Sequence, residues 1–184
     1  MPTIKVSEAD IEFLAIIRRN VNNFMRKAAN RYAKDGGVLL DIAPQVHEGA
    51  RPYFPAMVAV ETFDINPESG AHHIGDICAN NASIDDETYD FVVCTEVLEH
   101  TLQPFDAVRE IYRILRPGGL AFVSVPFNFR IHGPLPDCWR FTEHGLRALF
   151  SKFHILELEG LETPGRGLMP IHYTLVAQKQ TILQ

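Results

Sequence analysis

The sequence has few cysteines and no long hydrophobic run. Only three of its 184 residues are cysteine, and Cys78, Cys94 and Cys138 show no paired spacing. Such a set is typical of reduced thiols rather than of a disulfide framework. No apolar run approaches the roughly 20 residues that a membrane span requires. Residues 1–8 are also too polar for a signal peptide. We therefore expect a cytoplasmic protein that makes no membrane contact.

Positive charge is scarce as well. The chain has 17 Lys and Arg residues against 23 Asp and Glu residues, which gives a formal net charge of -6. No basic cluster stands out, so the electrostatic basis of nucleic-acid binding is missing and we expect no nucleic-acid partner. The hydrophobic fraction of 46% and the charged fraction of 22% are ordinary for a globular protein. The length suits one core, so we expect a single domain over residues 1–184.

Hydrophobic periodicity divides the chain into alternating helices and strands. A helical stripe begins at Ser7 and Asp10, which form a capping-box-like start, and it ends before residues 36–37. Further helices are predicted from Pro104 and over residues 142–150. The predicted strands are residues 38–42, 57–63, 72–77, 89–94, 120–125, 153–161 and 172–178. The last two are expected to form an edge hairpin.

This alternation predicts a doubly wound α/β fold with a mainly parallel seven-stranded sheet. Residues 1–37 would form an N-terminal helical cap on a core of residues 38–184. Parallel sheets of this kind bind ligands at the carboxyl ends of their strands. The loops that follow Asp41, Asp64 and Asp76 should therefore lie on one rim.

Two motifs one helix apart carry a resemblance to a known family. Residues 91–100, Phe-Val-Val-Cys-Thr-Glu-Val-Leu-Glu-His, join an apolar strand to a polar edge, and residues 115–120, Leu-Arg-Pro-Gly-Gly-Leu, follow. Together they resemble the second half of a class I S-adenosylmethionine-dependent methyltransferase, of the small type 11-like group that often methylates metabolites or sugars. The resemblance extends from about Val38 to Phe150. It implies a Rossmann-like fold with S-adenosyl-L-methionine as the cofactor.

The resemblance also implies which residues bind the cofactor. Asp64 would hold the ribose, and Asp76 would meet the adenine amino group. The alternatives are that Asp64 caps the turn that follows it and that Asp76 is an exposed loop residue. Glu96 could equally cap the next turn. The implied cofactor-binding residues are Asp41, Ala43, Gln45, Asp64, Ile65, Asp76, Ile77, Thr95 and Glu96.

The glycine-rich loop that the family carries after its first strand is altered in this chain. Asp41 is in place, but Gln45 and His47 stand where glycines are expected, and Pro44 stiffens the turn. Gly49 comes too late to substitute directly. Three outcomes stay open. The loop binds the cofactor along another path, binds it only when a partner or substrate orders it, or does not bind it.

Two histidines are the candidate catalytic residues. His100 matches the family's Glu-His pair near the transferable methyl group, where a neutral imidazole can take a proton from a hydroxyl. The alternative is a structural histidine that holds the loop. His132 lies in residues 126–141, a long segment expected to overhang the methyl site. No metal site is predicted, because His72 and His73 face opposite ways in a strand.

The sequence therefore predicts an S-adenosylmethionine-dependent methyltransferase that acts on a small molecule or a sugar hydroxyl, with N-methylation as a second option. The N-terminal helix and residues 126–141 would cover the acceptor, unless the second subunit of a homodimer does so. The alternative is a non-catalytic module of the same fold that binds a partner protein or a nucleoside ligand. A nicotinamide-dependent enzyme is a third reading, which the missing Gly-x-Gly-x-x-Gly pattern disfavours.

Overall fold

The computed structural model describes residues 6–33, 35–44 and 49–181. This part of the chain forms one sheet with helices around it. The helices are α1 (Glu8–Tyr32), α2 (Pro104–Ile114) and α3 (Glu143–Leu149), with a 3₁₀ helix at Leu98–His100. The strands are β1 (Gly37–Ile42), β2 (Val58–Asp64), β3 (His73–Ile74), β4 (Tyr89–Thr95), β5 (Leu115–Pro126), β6 (Phe153–Thr163) and β7 (Arg166–Lys179).

The seven strands lie in the order β3-β2-β1-β4-β5-β7-β6. Strands β1 to β5 are paired in parallel, and β7 runs antiparallel between β5 and β6. This arrangement confirms the predicted α/β sheet with an antiparallel edge hairpin. The strand order reverses between β1 and β4, which is the point where open α/β sheets form a ligand crevice.

Several predicted strands have different bounds in the structure, and the last one, expected over residues 172–178, spans Arg166–Lys179. The third strand was expected over residues 72–77 but is limited to two residues, because the Gly75 N–H donates to the Asp64 carbonyl and the chain then turns away. The fifth strand was expected from Leu120 but begins at Leu115, which is buried and pairs with Tyr89 across an irregular step. Helix α2 therefore ends before the Pro-Gly-Gly sequence that was expected to stop it.

Buried side chains form two clusters, one on each side of the sheet. Alternate residues of the central strands belong to different clusters, as the two-residue period of a strand requires. Helices α2 and α3 cover the larger cluster, and α1 covers the smaller one. Phe122 is fully buried in the smaller cluster and contacts the rings of Phe24, Tyr32, Phe54 and Phe91. It is the common neighbour that joins α1 to β4 and β5.

Helix α1 begins with the predicted capping box. The Ser7 hydroxyl accepts the Asp10 N–H at 3.1 Å, and the Asp10 carboxylate accepts the Ser7 N–H at 3.2 Å. The buried residues of α1 begin at Ile17 and are concentrated in its C-terminal half, where Lys27 and Arg31 form ion pairs with Glu157 of β6. Ile11, in the first part of the predicted helical stripe, is exposed.

None of the helices in the described ranges is both long and apolar enough to cross a membrane. The three cysteines are free thiols in different settings. Cys94 is buried in β4, Cys78 is partly buried, and Cys138 is exposed. Burial raises the pKa of both Cys78 and Cys94.

The central position of Phe122 predicts that removal of its ring will destabilise the folded protein. Phe122→Ala should lower the free energy of unfolding by about 3–5 kcal/mol, because it removes a buried ring and leaves a cavity. Phe105→Ala is the matched control, since the ring of Phe105 is 62% exposed and its loss should cost less than about 0.5 kcal/mol. Urea unfolding of both variants measures the difference. Equal losses would mean that Phe122 does not hold the cluster together.

Candidate active site

A cleft of about 710 Å³ opens at the carboxyl ends of β1 and β4. The N-terminal half of α1 forms one wall, and residues 129–133 form another. The cleft brings together six of the eleven residues that the sequence assigns to cofactor binding or catalysis. These six are Asp41, Ala43, Thr95, Glu96, His100 and His132.

Asp41 lies at the base of the cleft and is buried at the end of β1. Its Oδ2 accepts the Ala50 N–H at 2.6 Å. Burial raises the pKa of Asp41 to about 6, although the Ala50 N–H opposes the shift. Gly49 has φ of +55°, and a Cβ there would collide with the Asp41 carboxylate and with Pro44. The glycine that seemed too late in the sequence therefore packs directly against the acidic residue of the first motif.

Ala43 occupies the position of the first glycine in the family's loop. Its φ of 52° lies in the left-handed region, where an alanine is strained and a glycine is not. The Ala43 N–H donates to the Phe63 carbonyl at 2.7 Å, which ties the loop to the end of β2. The predicted cofactor residue Gln45, like His47, lies outside the described residues.

Glu96 makes the corresponding sharp turn after β4. Its φ is 55°, and two hydrogen bonds to its Oε1 hold this strained conformation. Ser124 Oγ donates at 2.8 Å, and the Nε2–H of fully buried His172 donates at 2.7 Å. The other ring nitrogen of His172 accepts from the Asn20 amide of α1 at 2.9 Å. His172 and Asn20 were not among the predicted site residues, although a histidine in the apolar run of β7 could have indicated a buried polar contact.

His100 and His132 meet at the far end of the cleft, with their rings 4.9 Å apart. The Nδ1 of His100 lies 2.9 Å from the Pro136 carbonyl oxygen, and the Nδ1 of His132 lies 3.1 Å from Asp137 Oδ2. Both partners only accept hydrogen bonds, so we assign the proton of each neutral ring to Nδ1. Each Nε2 then presents a lone pair, and each lies 3.7 Å from Glu99 Oε1.

Glu99 is the most unusual residue of the site. Its side chain is fully buried, and neither carboxylate oxygen has a hydrogen-bond partner within the described part of the chain. Burial, and then the charge of Glu96, raise the pKa of Glu99 well above its usual range. Buried carboxylates normally have partners, so one without any is a sign of function. Glu99 belongs to the motif at residues 91–100, but no role could be predicted for it, because nothing in the sequence indicates its burial.

The segment after β5 supports this end of the cleft. Arg140 donates to both oxygens of Asp137, and the His132 N–H donates to the same carboxylate. Burial alone would raise the pKa of Asp137, but these hydrogen bonds and charges lower it to about 2. Trp139 stays partly exposed and donates to the Thr101 carbonyl at 2.8 Å, whereas Phe141 joins the core. The segment is therefore held by an ion pair and by an aromatic anchor.

The four remaining predicted residues do not line this cleft. Asp64 and Asp76 each accept, through Oδ1, the backbone N–H two residues further on, at 2.8 Å in both cases. Both carboxylates thus cap their turns. Ile65 is 68% exposed, whereas Ile77 is 6% exposed and belongs to the core, so it offers little surface to a ring. Their assignment to the cofactor stays a prediction.

Comparison with known proteins agrees with this fold. A protein-family model described as a methyltransferase domain matches residues 17–159, and the chain belongs to that family. A S-adenosylmethionine-dependent methyltransferase from Methanosarcina mazei is 18% identical, with a TM-score of 0.63 over 82% of this chain and 96% of that one. The 1,6-didemethyltoxoflavin-N1-methyltransferase of Burkholderia thailandensis, with bound 1,6-didemethyltoxoflavin and S-adenosylhomocysteine, is 17% identical, with a TM-score of 0.61 over 98% and 94%.

A shorter match links the chain to curated relatives. It is 47% identical over 38 residues to the ubiquinone biosynthesis O-methyltransferase of Pseudomonas savastanoi pv. phaseolicola, which is 21% of this chain. The match covers 16% of that protein's length. Family membership, together with the strand order, confirms the predicted methyltransferase family and its α/β fold. The S-adenosylmethionine-dependent proteins among the similar structures agree with the cofactor that the sequence led us to expect.

The burial of Asp41 predicts a pH-dependent stability. Its pKa is raised from 3.8 to about 6 in the folded protein, so the folded state binds the proton more tightly than the unfolded state. Stability from this group is therefore present below about pH 4 and is lost as pH rises through 6. Asp41→Asn should raise the free energy of unfolding by about 2–3 kcal/mol at pH 7.5 and by almost nothing near pH 4.

Denaturant unfolding of the ligand-free protein at both pH values measures this difference. Asp85→Asn provides the control, because Asp85 is exposed. A gain for Asp41→Asn that is the same at both pH values would contradict the assigned shift.

Proposed function

We propose that the protein methylates a hydroxyl group of a small molecule or sugar with S-adenosyl-L-methionine as the methyl donor. The single observation that carries this proposal is the composition of the cleft. Thr95 and Glu96, which the family resemblance assigns to cofactor binding, line the same cleft as the imidazoles of His100 and His132. Donor-binding groups and candidate catalytic groups therefore share one space at the switch point of the sheet.

The residues around this cleft fit the donor. S-adenosyl-L-methionine carries a positive sulfonium and an ammonium, and when bound it supplies an electrophilic methyl group. The carboxylate of Glu96 lines the cleft and is held in place by Ser124 and His172. Ala43 and Gly49 both adopt the left-handed conformation, although only one of them is a glycine. In this proposal Asp64 and Asp76, with Ile65 and Ile77 beside them, bind the ribose and adenine, and Gln45 belongs to the same loop.

Features of the end of the cleft that holds His100 and His132 support a hydroxyl acceptor. The Nε2 atoms of His100 and His132 are well placed to promote the loss of a hydroxyl proton. Most of the rate enhancement would come from the alignment of acceptor and donor in one cleft. Exposed Val6, Ile11 and Ile131 also line the cleft, which favours an acceptor with an apolar part. Ubiquinone biosynthesis and toxoflavin enzymes, named among the similar proteins, support a small-molecule acceptor.

We also propose that residues 1–184 act as one domain, in which residues 1–37 cap the core of residues 38–184. The exposed thiol of Cys138 and the absence of disulfides among the described cysteines favour the cytoplasm. A second subunit of a homodimer would cover the part of the cleft that α1 leaves open.

Cofactor binding is the first test of this function. Calorimetry should give a micromolar Kd for S-adenosylhomocysteine, equivalent to about 8 kcal/mol, and no heat with NAD. Asp64→Ala should weaken binding by about 1.5–3 kcal/mol, because charge-assisted hydrogen bonds to the ribose are lost. Asp85→Ala, at an exposed position away from the strand ends, should bind normally. No heat at millimolar cofactor would favour the non-catalytic module instead.

The second test concerns the imidazoles. With an alcohol acceptor, His100→Ala should lower kcat by about 10²–10⁴ while the affinity for S-adenosylhomocysteine stays unchanged. His154→Ala is the control, since His154 is exposed on β6. Normal turnover in a stably folded His100→Ala protein would remove His100 from the chemistry and direct attention to His132.

A further inference from the structure

Three side chains converge at the acceptor end of the cleft on one point. Glu99 Oε1 lies 3.7 Å from Nε2 of His100 and 3.7 Å from Nε2 of His132, and the three potential ligand atoms all lie within 4.8 Å of one another. These separations are too long for hydrogen bonds. The two 3.7 Å separations are close to the roughly 3.4 Å that separates two atoms bound tetrahedrally, at about 2.0–2.1 Å, to a common ion. An inward movement of the two imidazoles, whose nitrogens lie within 4.8 Å of each other, would bring all three atoms to bonding distance.

The surroundings of the histidines have the pattern of supporting groups around metal ligands. Each metal-binding imidazole usually donates its second N–H to a carbonyl or a carboxylate, which fixes the tautomer and the ring orientation. His100 makes this contact with the Pro136 carbonyl, and His132 makes it with the Asp137 carboxylate. Arg140 in turn holds Asp137 through both oxygens. Both lone pairs are thereby directed toward Glu99.

Glu99 gives an independent reason to place a cation here. Its carboxylate is fully buried and has no hydrogen-bond partner in the described part of the chain. An isolated buried carboxylate is costly unless it is paired or coordinates a metal. Arg140, whose charge acts on Glu99, is already committed to Asp137. A divalent cation would supply the missing partner.

The geometry points to a divalent metal site formed by Glu99, His100 and His132, with at least one open coordination position facing the cleft. Two imidazoles and one carboxylate suit Zn²⁺ or another first-row transition cation, whereas Mg²⁺ and Ca²⁺ prefer oxygen ligands alone. Three protein ligands with an open position are typical of catalytic rather than structural sites. No metal site was predicted from the sequence, because only the fold brings His132 next to Glu99 and His100.

The chemical role of this metal site rests on the proposed function. The hydroxyl oxygen of the acceptor would occupy the open position, where the cation lowers its pKa and the proton passes to water in the cleft. The two imidazoles then act as ligands rather than as free bases. The acceptor class is thereby an alcohol or phenol whose oxygen can coordinate a transition cation.

Metal binding can be tested without the methyl donor or the acceptor. Chelator-treated protein is titrated with Co²⁺ and followed by visible absorption, and its Tm is measured with and without Zn²⁺. The wild type should develop the absorption of low-coordinate Co²⁺ at one equivalent and should gain Tm with Zn²⁺. Glu99→Gln and His132→Ala should weaken Co²⁺ binding at least about 100-fold and lose the Tm gain. His154→Ala, at an exposed position, should behave like the wild type.

The use of two substitutions distinguishes loss of the metal site from a general folding defect. Glu99→Gln replaces a buried, unpartnered carboxyl group, whose charged form burial disfavours, with a neutral amide of the same shape, so its Tm in the absence of metal should equal or exceed that of the wild type. Equal metal responses in all four proteins, or no Co²⁺ absorption in the wild type, would overturn the site. Because no S-adenosylmethionine is present, a failure here leaves the cofactor measurement untouched. Metal binding by a protein that binds no cofactor would instead contradict the proposed function alone.

Discussion

The hydrogen bond between Glu96 and fully buried His172, 2.7 Å long, connects the parts of the molecule that build the cleft. It joins the end of parallel β4 to antiparallel β7, and Asn20 on the other ring nitrogen adds α1. The bond also helps to hold the left-handed turn at Glu96, which costs about 1–3 kcal/mol in isolation. That turn leads directly into the 3₁₀ helix of Leu98–His100. The positions of the carboxylate and imidazole groups therefore depend on one buried polar contact.

The fold could be predicted from the sequence because its signals are local. Alternating apolar strands and amphipathic helices define the layers, and the capping box at Ser7 marks the start of α1. The bounds that were wrong depend on partners distant in the sequence. Leu115 enters the sheet because it pairs with Tyr89, and the strand at His73 is short because the chain turns at Gly75. Strand ends are determined by neighbouring strands, which a single segment cannot show.

Site residues that belong to a sequence motif could be predicted, whereas residues that only the packing of distant segments brings to the site could not. His100 and His132 were expected near the methyl site, and both line the cleft. His172 was missed because its contacts span 76 residues to Glu96 and 152 residues to Asn20. Glu99 was visible in the motif, but its importance lies in its complete burial without a partner. Long-range contacts and desolvation therefore account for the residues that sequence reasoning could not assign.

The uneven burial of the three cysteines has a practical consequence for observing this site in solution. Cys138 is exposed, whereas Cys94 is buried and the thiols of both Cys94 and Cys78 have raised pKa values that suppress their reactivity. The Cys138 backbone N–H donates to the Glu99 carbonyl at 2.7 Å. A maleimide dye would thus attach selectively beside the buried carboxylate in the natural sequence. Its fluorescence would report changes in the surroundings of this residue without an engineered cysteine.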